Sequence, residues 1–159
     1  MDLGQHVADA LRIVMDMVAA GSAHCVLGNH EVKVERWLNG RDVKMTHGLD
    51  MTVADLEAAG SAFKARVKSF ISKLVSHYML DGGKLAIAHA GIRQEMQGRA
   101  SGRIREFCLY GETTGETDEF GLPVRHNWAA EYRGDTRVVY GHTPVPRPEW
   151  SQSGRRPGP

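Results

Sequence analysis

The sequence predicts a mixed α/β fold, layered as α+β, in which helices flank a small sheet. Apolar residues recur at helical spacing over residues 1–21 and 63–74, a pattern typical of amphipathic helices. Short apolar runs over 22–27, 85–88 and 137–140 are typical of strands. Each run ends beside a glycine and a side chain that can bind a metal ion. Because open α/β folds bind ligands where strands end, these places form the candidate functional site.

The first half of the chain is predicted to be mainly helical. A first helix followed by a strand over 22–27 indicates a βαβ layout. Asn39-Gly40 is a C-capping pair at the end of the second helix. Thr52 with Asp55 resembles a capping box at the start of the third helix. Helices are therefore predicted over 1–21, 31–38, 53–59 and 63–74.

The second half is predicted to contain a β-hairpin over 77–88, with Asp81-Gly82-Gly83 as its turn. Residues 112–119 are acidic and rich in Gly and Thr, which predicts a loop. A short helix over 128–132 then precedes the strand over 137–140. We expect this hairpin and this last strand to contribute to one sheet.

Prolines set the end of the ordered fold. Pro144, Pro146 and Pro148 forbid a regular helix or a central strand after the last predicted strand. Residues 151–159 are polar, basic and rich in Pro and Gly, which predicts a disordered tail. The chain is therefore predicted to hold one domain over residues 1–150, followed by that tail.

Bulk composition narrows the class of protein. The chain has 159 residues, a net charge of +1 and a charged fraction of 25%, which is ordinary for a globular protein and identifies no partner by charge. No apolar run is long enough to span a membrane, and no secretion signal opens the chain. Cys25 and Cys108 lie in apolar contexts and are predicted to be packed thiols in a reducing compartment. We therefore expect a cytoplasmic protein.

Three polar side chains at predicted strand ends point to metal chemistry. Asn29 follows the first strand, and His89 and His142 follow the later ones. If those strands are parallel neighbours, the three side chains converge at one edge of the sheet. Neutral nitrogen and oxygen ligands suit Mn, Fe, Ni or Zn better than Ca. Asp2 and Glu31 are nearby carboxylates that can join or orient the site. The alternative is a polar turn in which Asn29 merely caps a helix.

A second feature is a stretch rich in arginine, glycine and serine over residues 92–107. Two interpretations stay open: a solvated surface, or an anion-binding loop beside the metal site, because guanidinium groups match phosphate oxygens. The candidate phosphate-binding residues are Arg99, Arg103 and Arg105.

The motif series Gly-Asn-His-Glu, strand-end His and Gly-His resembles that of the calcineurin-like metallophosphoesterases. The resemblance implies part of a β-sandwich flanked by helices. It also implies that Asn29, His89 and His142 ligate one metal of a dinuclear pair. His30 matches the histidine that protonates the leaving oxygen. The implied cofactor is a divalent metal, with Mn expected and Ni, Fe or Zn as alternatives.

Four further stretches of the sequence resemble the phosphatase module of bacterial polynucleotide kinase-phosphatases. The similar stretches are Trp37-Leu38, 46–49, 95–121 and 128–134. This resemblance implies hydrolysis of phosphate monoesters at RNA or DNA ends in RNA repair, within proteins that also carry kinase and ligase-type modules. A protein serine/threonine phosphatase or a dinucleoside tetraphosphatase of the same superfamily is the alternative.

The sequence also departs from the family pattern. The Asp-x-His motif and the Asp that bridges both metals have no counterpart, so the first metal site is not matched. If Asp2 matches the second Asp of Gly-Asp-x-x-Asp-Arg, Leu3 replaces the phosphate-binding Arg. The family's closing strands after Gly-His are also missing. We therefore expect a fragment truncated at both ends, with weak metal binding and very low activity. A non-catalytic remnant is the alternative to an enzyme.

Overall fold

The structure is a computed structural model that describes residues 6–46, 48–119, 121, 123–143 and 145–150. It confirms a mixed α/β composition. The chain divides into two compact units, Met1–Val75 and Ser76–Pro159, and each is described by itself. The predicted β-sandwich and the predicted single domain over 1–150 remain predictions. Parts of the predictions lie outside the described residues, namely residues 1–5, which include Asp2 and Leu3, as well as Pro144 and the tail over 151–159.

The first unit is built from amphipathic helices. Its largest fully buried side chains include Leu27, Leu49, Leu56 and Val67. Contacts join the first helix to the third and the second to the fourth, so the apolar faces share one core. The helices of this unit are α1 Val7–Ala19, α2 Asn29–Leu38, α3 Leu49–Ala58 and α4 Ser61–Ile71.

The predicted end of α2 is confirmed. The N–H of Gly40 donates to the carbonyl of Trp37 at 2.8 Å, and the N–H of Arg41 donates to that of Arg36 at 3.0 Å. Gly40 has a φ of +72°, which glycine adopts without steric cost. This is the Schellman arrangement, in which two otherwise unpaired helix carbonyls gain donors.

The prediction of a regular strand over residues 22–27 is wrong. Val26 forms a single parallel bridge with Val75, outside any strand. The N–H of Leu27 donates to the carbonyl of Val75 at 2.9 Å. A strand needs consecutive ladder bonds to a partner, and one bridge gives the segment an extended form without making it part of a sheet.

The predicted start of α3 is also wrong, and so is its capping box. The helix begins at Leu49, four residues before the predicted Val53. Thr52 lies inside it and donates its hydroxyl hydrogen to the carbonyl of Gly48 at 3.2 Å. Asp55 instead accepts a hydrogen bond from the N–H of Val7 at 2.8 Å. The carboxylate therefore caps the start of α1, whose first N–H groups have no partner within the helix.

The second unit contains a three-stranded sheet in which β2 (Leu85–Ala88) lies between β1 (His77–Leu80) and β5 (Arg137–Val139). The antiparallel pair of β1 and β2 confirms the predicted hairpin. The strand β5 pairs with β2 in parallel, with Ile87 opposite Val139. The strands of this unit are β1 His77–Leu80, β2 Leu85–Ala88, β3 Thr113–Thr117, β4 Pro123–Arg125 and β5 Arg137–Val139.

The acidic stretch after residue 111 is not a plain loop as predicted. The strands β3 and β4 pair antiparallel in a separate two-stranded sheet. The residues of β3 are exposed, so the stretch lacks the apolar alternation by which a half-buried strand is recognised in sequence. Two helices flank this hairpin, α5 Gly102–Tyr110 and α6 Trp128–Glu131, and α6 confirms the predicted short helix.

The core of the second unit lies between β2, α5 and α6. Ala86 and Ala88 on β2 contact a buried cluster that includes Ile92, Phe107 and Trp128. Cys108 is fully buried, and both cysteines are free thiols, as predicted. None of the helices in the described part of the chain is long and apolar enough to cross a lipid bilayer.

Candidate functional site

The structure brings His89 and His142 together. His89 directly follows β2, and the N–H of Gly141, just before His142, donates to the carbonyl of His89 at 2.9 Å. His89 Nε2 lies 2.9 Å from His142 Nδ1, and the two rings meet edge to face with centroids 4.8 Å apart. The prediction that these two strands are parallel neighbours is confirmed. Their carboxyl ends therefore place two imidazoles at one edge of the sheet.

The backbone around His89 is fixed by contacts from distant parts of the unit. The N–H of Ala90 donates to the carbonyl of Cys108 at 2.7 Å. The indole Nε1 of Trp128 donates to the carbonyl of Ala90 at 3.2 Å. Gly91 has a φ of +120° and faces the same indole, where a Cβ atom would lie 2.1 Å from Trp128 Cζ2. Glycine is therefore required two residues after His89.

The backbone of His142 is itself unusual. Its φ is +71°, in the left-handed region that residues other than glycine seldom adopt. The N–H of the next residue, Thr143, donates to the carbonyl of Gly141 at 2.9 Å, which stabilises this turn. Such backbone strain concentrates at functional sites because the surrounding contacts must hold it.

Arg125, at the end of β4, is a member of this site that the sequence analysis missed. Its Nη2 lies 2.9 Å from His142 Nε2, and its Nε donates to the carbonyl of Tyr110 at 3.3 Å. No signal in the sequence indicated the β3–β4 hairpin, because the exposed strand β3 lacks the alternation of apolar and polar residues. Without that hairpin, nothing in the sequence connects Arg125 to the histidines.

These contacts define how the protons are arranged. A guanidinium can only donate, so His142 Nε2 accepts from Arg125. With a neutral ring, His142 then carries its proton on Nδ1 and donates it to His89 Nε2. The two nitrogens that face each other therefore share a single proton, and their separation is that of a hydrogen bond.

The Gly-Asn-His-Glu motif lies in the first unit, at the start of α2. The helix begins at Asn29, two residues earlier than predicted, and Gly28 is the N-cap. Asn29 is thus the first residue of the helix and not its N-cap, and the choice between a metal ligand and a purely structural polar turn stays a prediction. Glu31 accepts a hydrogen bond from the N–H of Gly28 at 3.1 Å, which is one half of a capping box. Asn29 and His30 are both half-buried in the first turn.

The convergence of Asn29 with His89 and His142 stays a prediction, because Asn29 belongs to the other unit. Among the residues that the structure describes, no three His, Cys, Asp or Glu side chains assemble into a metal site. The two imidazoles of the second unit are the part of the predicted ligand set that is seen together.

The candidate phosphate-binding arginines have surface positions. Arg99 donates to the carbonyl of Glu95 at 3.2 Å, and Arg103 and Arg105 are exposed on α5. Arg93 has a structural role, since it forms an ion pair with Glu112. These positions agree with the solvated-surface interpretation, and the anion-binding role of the three candidates stays a prediction.

Neither cysteine is activated as a thiolate. Burial raises the pKa of Cys108 to about 11, while a hydrogen bond with Ser76 acts in the opposite direction. Burial also raises the pKa of Cys25, and the charge of Glu31 adds to this effect. Since the thiolate is the form that binds metals or attacks electrophiles, both residues are packing groups at neutral pH.

In comparison with known proteins, the chain is similar to bacterial phosphatases. The particular relatives are named bis(5'-nucleosyl)-tetraphosphatase PrpE [asymmetrical]. The chain is 43% identical to the protein of Anoxybacillus flavithermus over 153 residues, which cover 94% of the chain and 62% of that relative. It is 41% identical to that of Bacillus subtilis over 151 residues, covering 92% and 62%.

The chain thus spans about three fifths of the length of the curated relatives it matches. No family model matches it. The relatives support the superfamily resemblance and the tetraphosphatase alternative. They do not support the closer resemblance to polynucleotide kinase-phosphatases.

Proposed function

We propose that this chain carries part of the active site of a metal-dependent phosphoesterase that hydrolyses dinucleoside tetraphosphates. The observation that carries the proposal is the pair His89 Nε2 and His142 Nδ1, 2.9 Å apart at the ends of two parallel strands. The carboxyl ends of parallel strands are where α/β folds bind ligands, and imidazole is a common ligand of divalent transition metals. The names of the relatives supply the substrate class.

The donor chemistry fits two ligands of a divalent metal. Two imidazole nitrogens bound to one tetrahedral zinc ion lie roughly 3.4 Å apart, given bond lengths of about 2.1 Å. The observed 2.9 Å is that of a hydrogen bond, so the two rings would have to separate slightly to hold the ion. Asn29 is the proposed third ligand, with Glu31 orienting the turn from which it projects. Mn remains the expected metal, and imidazole ligands suit Ni, Fe or Zn as well.

Each group has a separate task in the proposed reaction. A metal held at the histidine pair would polarise a phosphoryl oxygen and make bound water a stronger nucleophile. His30, half-buried in the first turn of α2, would protonate the departing phosphate oxygen. A proton donor must meet the leaving group, so His30 is not proposed as a ligand.

The proposed substrate is a phosphoric anhydride within a tetraphosphate chain. This replaces the phosphate monoester at a nucleic-acid end as the first choice, because the relatives carry the tetraphosphatase name. A polyphosphate chain presents several adjacent anionic groups, and a metal with nearby guanidinium groups is suited to neutralise them. Fused kinase or ligase-type modules form no part of this proposal.

The test has a binding arm and an activity arm. Zinc affinity is measured by calorimetry for the chain, for His89→Ala and His142→Ala, and for His126→Ala as an exposed control in the same unit. We expect at least a tenfold loss of affinity for the first two variants and none for the control. Hydrolysis of diadenosine tetraphosphate with Mn²⁺ or Ni²⁺ is then compared with release of phosphate from an RNA end.

The outcomes separate the alternatives. Unequal nucleotide products from the tetraphosphate, formed faster than phosphate from the RNA end, support the proposal. Faster release from the RNA end would restore the polynucleotide phosphatase. Zinc affinities that do not change in His89→Ala and His142→Ala would rule out the histidine pair as a metal site.

A further inference from the structure

Arg125 reaches the histidine pair from an element that the sequence did not predict. It lies at the end of β4 and contacts the far nitrogen of His142. We propose that Arg125 is the residue of this site that binds a phosphoryl oxygen of the substrate. This inference rests on the proposed phosphoesterase function, and it assigns to Arg125 the role that the sequence analysis gave to Arg99, Arg103 and Arg105.

The guanidinium of Arg125 is held in place from two directions. Nε donates to the carbonyl of Tyr110 at 3.3 Å, and Nη2 contacts His142 Nε2 at 2.9 Å. A guanidinium carries five N–H donors in one plane, so these two contacts leave further donors for a solute. Arg125 is exposed. A fixed, exposed fork of this kind loses little conformational entropy when it binds a phosphate.

The positive charge of Arg125 is also available to bind an anion. Its two contacts are to a neutral carbonyl and to an imidazole nitrogen, and no salt bridge of Arg125 occurs within the described part of the chain. The carboxylate of the neighbouring acidic stretch, Glu112, is already paired with Arg93. Charge-assisted bonds to phosphate are the stronger class of hydrogen bond.

The contact with His142 links Arg125 to the state of the metal site. Because a guanidinium only donates, His142 Nε2 is assigned as the acceptor, and a neutral ring then carries its proton on Nδ1. If His142 uses Nδ1 as a metal ligand, its remaining proton must sit on Nε2, which then becomes a donor. Two donors repel each other, so the contact between Nη2 and the ring would be lost, and the bond from Nε to the carbonyl of Tyr110 would keep the guanidinium oriented. Arg125 thus gains a further donor for the substrate when the site is filled.

The test measures phosphate binding instead of turnover. The zinc-loaded chain is titrated with inorganic phosphate, and its affinity is compared with that of Arg125→Ala, Arg125→Lys and Arg137→Ala. Arg137 is a matched control, because it is an exposed arginine at the opposite end of β5 from His142. We expect a loss of about tenfold or more for Arg125→Ala. A smaller loss is expected for Arg125→Lys, which keeps the charge without the fork, and none for Arg137→Ala.

A second measurement excludes a merely structural role. Zinc affinity should not fall in Arg125→Ala, because Arg125 is proposed to bind the anion and not the metal. The ¹⁵N shift of His142 Nε2 should be that of an unprotonated nitrogen in the metal-free chain and that of a protonated one with zinc. A protonated Nε2 in the metal-free chain would contradict the proposed release of Arg125.

The outcomes distinguish this inference from the function on which it rests. Zinc binding with the same phosphate affinity in Arg125→Ala and the unaltered chain would overturn the inference alone. Equal losses of zinc and phosphate affinity would make Arg125 a support for His142 and would overturn it as well. Absence of zinc binding by the unaltered chain would overturn the proposed function, and the inference with it.

Discussion

The two units present their candidate residues in different ways. In the first unit, the Gly-Asn-His-Glu turn contains a local bond from the N–H of Gly28 to Glu31, and the segment before it forms a single bridge with Val75. In the second unit, His89 and His142 are 53 residues apart and meet because β2 and β5 pair in parallel. The sequence presents both as a polar residue after a short apolar run. The comparison shows that a short apolar run locates a candidate site residue in the sequence. Whether that residue lies at the edge of a sheet depends on whether the run pairs with another strand.

The difference also concerns what supports each motif. The loop after His89 depends on the carbonyl of Cys108 and the indole of Trp128, which lie on α5 and α6. Damage to the core of the second unit should therefore disturb the histidine pair. The turn before α2 should tolerate the loss of any one contact. The predictions below test this contrast.

Gly91→Ala should give the largest effect. The new Cβ would lie 2.1 Å from Trp128 Cζ2, and alanine does not readily adopt a φ of +120°. We expect a loss of about 3 kcal/mol or more in the free energy of unfolding of the second unit. The measurement is urea unfolding followed by tryptophan fluorescence, combined with zinc affinity.

Gly98→Ala is the control for this prediction. Gly98 also has a positive φ, +68°, but nothing lies within 4 Å of a Cβ there. Gly98→Ala should lower the free energy of unfolding by about 1–2 kcal/mol, because only the backbone conformation is strained. If both variants lose the same free energy, the contact with Trp128 does not support the His89 loop, and the contrast between the units fails.

The features that the sequence predicted correctly are those that local chemistry determines. The Asn39-Gly40 cap and the β1–β2 hairpin follow from turn residues and their immediate neighbours. The features that it missed depend on distant partners. Val26 forms one bridge, with Val75, and no regular strand. Asp55 caps the start of α1 at Val7, 48 residues away in sequence, and not the start of its own helix.

The site follows the same rule. His89 and His142 were found because glycine and apolar runs mark strand ends. Arg125 was missed because its hairpin consists of exposed Thr, Gly and Glu residues, which give no hydrophobic signal. A residue brought to a site by a solvent-exposed hairpin cannot be recognised from local periodicity.

Asp55→Ala tests a long-range cap in the first unit. The substitution removes the acceptor of the Val7 N–H at 2.8 Å. We expect a loss of about 1–2 kcal/mol in the free energy of unfolding of this unit, concentrated at the start of α1. Hydrogen exchange of the first turn of α1 is the local measurement. Asp55→Asn keeps a carbonyl oxygen in place and should recover part of the loss, whereas equal losses in both variants would show that the cap is not what Asp55 contributes.

Glu31→Ala should cost less, about 0.5–1 kcal/mol, because it removes one local bond to the N–H of Gly28. It should also lower the pKa of Cys25, since the charge of Glu31 adds to the effect of burial. The pKa should stay above its ordinary value because burial is the larger cause. Alkylation of Cys25 as a function of pH is the measurement. A loss as large as that of Gly91→Ala would contradict the view that this turn tolerates the loss of single contacts.

His77→Gln should give the smallest effect, visible in its dependence on pH. Burial lowers the pKa of His77, and its Nε2 accepts a hydrogen bond from the N–H of Gly98 at 3.2 Å. Protonation of Nε2 would remove that acceptor and place a charge in a half-buried position. Because the folded state binds this proton less readily than the unfolded state, His77 contributes stability that is fully present above about pH 6.5, its ordinary pKa. That contribution is lost as the pH falls through the lowered pKa. The free energy of unfolding of the unaltered chain should therefore exceed that of His77→Gln most clearly at pH 7–8, and the difference should narrow towards pH 5. A difference that stays constant or widens on acidification would mean that His77 is not held in its neutral form by the fold.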